Sequence, residues 1–165
     1  MKNLLRYCVE KLTENFENII CLIEPLSIRK NYYLRSYDVA IEIIKEIKNL
    51  NLKIMLDSYH LHRLHGNLNF DNNIDENYIQ KDEQSQSNNT EILTEYIKKL
   101  APYVGHVQIS QAPNRDSPMN QGEIDFSKII PLIRQFYFGN IGLEYFGNFF
   151  YFLYFSFPFS LFLSF

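Results

Sequence analysis

"SYDVAIEIIKEIKNLNLKIMLD", residues 36–57, holds two kinds of apolar pattern in succession. From Val39 to Ile47 apolar residues recur at the spacing that lines one face of a helix, and Ser36 stands in front as its N-cap. "LKIMLD" (52–57) is then a short apolar run, as a strand covered on both faces requires, and it stops on an aspartate. The same succession is met on either side. "NLLRYCVEKLTENF" (3–16) carries Leu4, Leu5, Cys8, Val9, Leu12 and Phe16 at helical spacing and leads into "IICLIEP" (19–25), a run halted at Glu24-Pro25. Downstream, "TEILTEYIKKLAP" (90–102) reads as a helix stopped by Pro102 before the strand "GHVQIS" (105–110). "FSKIIPLIRQFY" (126–137) reads as a helix despite Pro131 and precedes "NIGLEY" (140–145).

Helix followed by strand, repeated along the chain, implies an α/β fold of parallel strands joined by helical crossovers. Such units make a partial (βα)8 TIM barrel, whose full ring takes about 250 residues. A small doubly wound sheet is the alternative, but no glycine-rich phosphate loop follows any strand.

Composition narrows the class further. The chain has 165 residues, a net charge of −3 and 46 % hydrophobic residues, as one soluble globular domain would. Without a basic cluster there is no electrostatic footprint for nucleic acid. Cys8 and Cys21 lie in no metal-binding or disulfide pattern and are expected to be buried, reduced thiols. No basic segment followed by an apolar run opens the chain, so a cytoplasmic protein is expected.

Two segments stand apart. Residues of about 67–89 are dense in Asn, Gln, Asp and Glu, and are read as a disordered insertion in a surface loop. From Tyr145 to Phe165 no residue is charged and phenylalanine dominates. The segment 147–165 is read as a tail foreign to the fold. A membrane span is the weaker reading, because Gly147, Asn148, Ser156 and Pro158 interrupt the run and no Lys or Arg flanks it.

The strands end on polar residues that a sheet interior would not choose: Glu24, Asp57, Gln108 and Glu144. Burying carboxylates together demands a cation or dense hydrogen bonding. At the carboxyl ends of barrel strands they would meet on the face where barrel enzymes work. Three carboxylates and a carboxamide form an all-oxygen set, which suits Mg2+ or Mn2+ better than structural zinc.

"LIEPLSIR" (22–29), "MLDSYHLHRLHGNL" (55–68), "VGHVQISQAPNR" (104–115) with "GEIDF" (122–126), and "IGLEY" (141–145), in this order, resemble the hydroxypyruvate isomerase family of xylose-isomerase-like barrels. The resemblance runs from the first helix to Tyr145, with the polar insertion as a gap. It implies a divalent metal held by Glu24, Asp57, Gln108 and Glu144, with Glu24 and Glu144 also transferring protons. It further implies substrate contacts from His60 and Arg115. Arg29 is either a substrate contact or a loop anchor. The implied substrate is hydroxypyruvate, a small hydroxy-keto acid, converted to tartronate semialdehyde. A sugar isomerase or epimerase on the same barrel, or an inactive fragment acting only as a binding piece, are the other readings.

The resemblance covers only the latter half of the family's ring, residues 1–146. Activity is expected to need either a second copy completing the barrel or another chain supplying its first half. Other side chains receive structural expectations. His106 is expected to point away from Gln108, His62 and His65 to lie at the surface, Gln111 to bond the turn backbone, and Glu123 to cap the following helix or steady Arg115.

Overall fold

Each strand of the sheet is delivered by the helix before it. A computed structural model describes residues 2–16, 18–28, 31–66 and 83–146. The helix α1 (Lys2–Asn15) precedes β1 (Cys21–Ile23), and α2 (Tyr37–Ile47) precedes β2 (Leu52–Asp57). A short α3 (Ser58–Leu61) runs into a π-helical turn (His62–Gly66). Then α4 (Glu83–Leu100) and a 3-10 turn (Ala101–Tyr103) lead to β3 (Val104–Ile109), and α5 (Phe126–Ile133) leads to β4 (Ile141–Leu143). Ser36 caps α2 as expected, its hydroxyl accepting from the amides of Asp38 and Val39.

The helix boundaries differ from expectation in two places. The backbone of α4 begins at Glu83, seven residues ahead of Thr90. Of the seven added residues Glu83, Gln84 and Gln86 are good helix formers, while the two Ser and two Asn are not. The cap of α5 is Asp125, which accepts from the Ser127 amide; Glu123 does not fill that place.

All strand pairs are parallel, in the order β1-β2-β3-β4. A doubly wound sheet reverses its strand order at a switch point, and this one runs straight on, as a barrel wall does. One face is the core. Leu52, Ile54 and Leu56 of β2 join Val107 and Ile109 of β3, all at most 5 % exposed, with Leu93, Ile97, Ile129 and Ile133 from the helices.

The other face carries Met55 and Asp57 beside their partners His106 and Gln108. Here His106 departs from expectation: side chains two apart on a strand share a face, so His106 lies on Gln108's side. A Cβ on Gly142 would meet both, at 3.3 Å each. The pairing slips between Ile54 and Met55, leaving Gly105 as the extra residue of a bulge. Only glycine fits there, since a Cβ would come within 2.5 Å of the Lys53 Cβ.

Three further expectations are corrected. Cys8 is exposed and Cys21 half-buried, because Cys8 falls on the outer side of α1. His62 is buried, its Nε2 3.5 Å from Glu123 Oε2. His65 is half-buried, stacked on Tyr96 with ring centroids 4.1 Å apart. The π-turn adds a residue to the helical repeat and swings these rings inward. The tail at 147–165, most of the polar insertion and Arg29 lie outside the described residues. No helix among the described residues is long and apolar enough to cross a membrane.

Candidate active site

The inner face continues past the strand ends, and strand register places the polar residues. Asp57 pairs with Gln108, and Gln108 with Gly142. Glu144 lies two residues beyond Gly142. Glu24 follows Ile23, the partner of Ile54, and so stands level with Met55. With alternating side chains, Glu24, Asp57, Gln108 and Glu144 therefore share one face at one end of the sheet.

Asp57 is the fixed point. It is fully buried, and its Oδ1 accepts from the amides of Tyr59 at 2.8 Å and His60 at 3.2 Å, capping α3. The Tyr37 hydroxyl sits 3.3 Å from the Asp57 backbone N and O. Oδ2 accepts from Arg115 Nη2 at 3.0 Å, and the same nitrogen lies 2.8 Å from Glu144 Oε1. Arg115 also donates through Nε to the Glu144 carbonyl at 3.2 Å and lies over the Tyr59 ring, 5.3 Å from its centroid. To reach these partners Arg115 adopts φ 59°, the left-handed region a non-glycine residue seldom occupies. The loop behind it is stapled by Gln111, which accepts from the amides of Ala112 and Ile124 and donates to the carbonyls of Asn120 and Ile124.

The electrostatics follow from enclosure. Burial, reinforced by the charges of Asp57 and Glu144 and opposed by Arg115, raises the Glu24 carboxyl to about 7. Burial likewise raises Asp57 to about 6, outweighing the pull of Arg115 and of the two amides. His60 is pushed down to about 3, first by burial and then by the charges of Arg115 and Arg63, so the ring is neutral.

Comparison with known proteins meets this geometry. A family model described as the xylose isomerase-like TIM barrel matches residues 2–148. The chain belongs to that family. Hydroxypyruvate isomerase of Escherichia coli is 29 % identical over 144 residues, covering 86 % of this chain and 45 % of its own length. A 2-oxo-tetronate isomerase of Pectobacterium atrosepticum is 31 % identical over 144 residues, covering 86 % and 44 %. The crystal structure of a family 2 AP endonuclease from Brucella melitensis superposes with a TM-score of 0.62 at 25 % identity, over 87 % of this chain and 46 % of that one. The chain thus spans less than half the length of the curated relatives it matches.

For a member of this barrel family, the question is whether the rim suits a divalent cation. Glu24 and Asp57, two of the four expected ligands, offer oxygens within 4.8 Å of each other, with a His60 ring nitrogen within the same distance. Glu24 Oε1 and Gln108 Oε1 are buried with no hydrogen-bond partner. Buried oxygens without donors, gathered among carboxylates that repel one another, fit a hard cation, and the oxygen-rich set suits Mg2+ or Mn2+.

Of the residues singled out in the sequence, Glu24, Asp57, His60, Arg115 and Glu144 are brought into one linked group, with Gln108 beside Asp57. Several contributors escaped the sequence reading. Ser27 bonds the His60 ring, Tyr59 lies under Arg115, and Tyr37 steadies Asp57. The Ser58 hydroxyl bridges the Ser110 carbonyl and amide at 2.9 and 3.1 Å, tying α3 to the end of β3. Ser27 and Ser58 sit within three residues of a strand-terminal acid, and that adjacency is the signal that was there to follow.

Proposed function

We propose that this chain carries the catalytic rim of an isomerase interconverting hydroxypyruvate and tartronate semialdehyde. The observation that supports the reading most directly is the placement of two glutamates on either side of one polar group. Glu24 follows the first edge strand and Glu144 the other, with Asp57, Gln108, His60 and Arg115 between them. Isomerisation removes a proton from C3 of hydroxypyruvate and returns one to C2, while the hydroxyl hydrogen passes from O3 to O2. One carboxylate takes the first proton and the other delivers the second. In the metal-free rim burial holds the Glu24 carboxyl at about 7, and a cation bound beside it would favour the carboxylate, the form that takes a proton. A Mg2+ or Mn2+ held by Glu24, Asp57, Gln108 and Glu144 supplies, when bound, the positive charge that polarises the carbonyl. Arg115 Nη1, on the His60 side of the guanidinium, offers a donor to the substrate carboxylate. The names of the two bacterial relatives both refer to isomerases of small 2-oxo acids, which favours this substrate class.

The test is turnover by the full chain with Mg2+ or Mn2+, using hydroxypyruvate, 2-oxo-tetronate and a ketohexose side by side. Turnover of the oxo acids that stops on chelation is the expected result. Preference for the ketohexose would move the assignment to a sugar isomerase or epimerase, and absence of turnover with either metal would overturn it.

A further inference from the structure

His60 is 1 % exposed, and its two ring nitrogens meet different surroundings. The amide nitrogen of Ser27 lies 3.2 Å from Nδ1, and the Ser27 hydroxyl oxygen lies 2.8 Å from the same atom. A backbone N–H only donates, so Nδ1 must present its lone pair. The single proton of the neutral ring is then on Nε2, and the Ser27 hydroxyl donates to Nδ1 as well. We propose that Ser27 is a positioning residue that locks the His60 proton on Nε2, making His60 a one-way donor to an acceptor oxygen of the substrate. The role in turnover rests on the isomerase reading above; the lock itself does not.

The opposite tautomer is opposed at the Ser27 amide. A proton on Nδ1 would set two N–H groups against each other at 3.2 Å. It would gain a bond from Nδ1 to the Ser27 hydroxyl oxygen at 2.8 Å and one from Arg115 Nη1 to Nε2 at 3.5 Å, the outer limit for such a contact. That guanidinium already holds two carboxylates. With the proton on Nε2, the ring presents a donor towards Glu24 Oε1, 3.9 Å away. This gap is too long for a direct hydrogen bond, and Glu24 Oε1 is itself buried and unpartnered. A carbonyl, carboxylate or enediolate oxygen satisfies the donor there. A group that only donates leaves it opposed.

Ser27 belongs to the loop that also carries Glu24, closed by a bond from the Leu26 amide to the Leu34 carbonyl at 3.0 Å. His60 belongs to α3, anchored on Asp57. The Ser27–His60 contact therefore ties the first two strand ends together, and the proton position is set by the same geometry that spaces the carboxylates.

Nitrogen-15 correlation spectra of the histidine rings in the full chain test this without substrate. The chain has four histidines, and His60→Gln assigns the signal. The wild-type ring at neutral pH is expected to show a protonated Nε2 and a bare Nδ1. Ser27→Ala keeps the donating amide and is expected to retain the wild-type tautomer. Ser27→Pro, which has no N–H, is expected to draw the two shifts towards each other as tautomers mix and to lower kcat about fivefold, the worth of one hydrogen bond, with KM little changed. Ser27→Thr, which keeps the hydroxyl, is expected to retain the wild-type spectrum. A wild-type ring protonated on Nδ1, or a Ser27→Pro ring indistinguishable from wild type, overturns the proposal. Failure to turn over hydroxypyruvate would refute the isomerase reading and leave these spectra unaffected.

Discussion

Asp57 and Glu144 hold the same guanidinium nitrogen from two kinds of strand. Asp57 ends β2, a central strand of six residues, and is fully buried. Glu144 follows β4, an edge strand of three residues, and its side chain is 46 % exposed. Glu24, after the other short edge strand, lies between them at 26 %. The central strands supply the fixed parts of the rim, bonded to the backbone around them. The edge strands supply the carboxylates proposed to move protons, which must meet a substrate and so cannot be sealed in. If the division is physical, substitutions at the centre should cost stability and those at the edges should cost chemistry.

Asp57→Ala is expected to have the largest effect on stability. It strips a buried guanidinium of its most buried partner and uncaps α3. Removing one partner of a buried ion pair typically costs about 3–5 kcal/mol. Urea unfolding of the metal-free protein measures it, and a loss near that of a surface substitution would break the comparison.

Glu24→Gln should be smaller and depend on pH. The folded state holds the Glu24 carboxyl at about 7 against an ordinary 4.5, so between those values it binds more protons than the unfolded chain. Linkage then makes wild-type stability fall, through this group, as pH rises from about 4.5 through about 7. The shift converts to at most about 3 kcal/mol. The metal-free variant is expected to match wild type near pH 4.5 and to exceed it at pH 8. Melting temperatures at both pH values decide it, and a variant less stable than wild type at pH 8 would show that Glu24 is not held against its charge.

The same division explains what the sequence made legible. Strand-ending acids announce themselves, because a carboxylate closing an apolar run has few structural uses, and all three such acids joined the rim. The helix–strand order likewise follows from periodicity, and Ser36 from its place before an apolar stripe. What stayed hidden depends on contacts between distant segments or on local irregularity. Ser27 reaches His60 from another loop, and nothing in "EPLS" names its partner. His62 and His65 turn inward through a π-turn that no regular period describes. The bulge at Gly105 is invisible until β3 is laid against β2. His106 is different: the strand period of two was sufficient to place it beside Gln108.

Glu144→Gln carries the smallest expected change in stability and the sharpest test of the division. The carboxamide keeps an acceptor oxygen for Arg115, and the Glu144 carbonyl still receives Arg115 Nε at 3.2 Å. Half-exposed ion pairs contribute little, so less than about 1 kcal/mol should be lost. Turnover should fall by about a hundredfold or more, because an amide cannot take or return the proton. The Glu144 charge is also one of the causes that raise Glu24 and Asp57, so its removal should let both ionise at lower pH. Unfolding curves that coincide with wild type, beside a collapse in turnover, are the expected pair of results. Were Glu144→Gln to unfold as readily as Asp57→Ala, the edge carboxylate would be a strut like the central one, and its assignment to proton transfer would lose its physical ground.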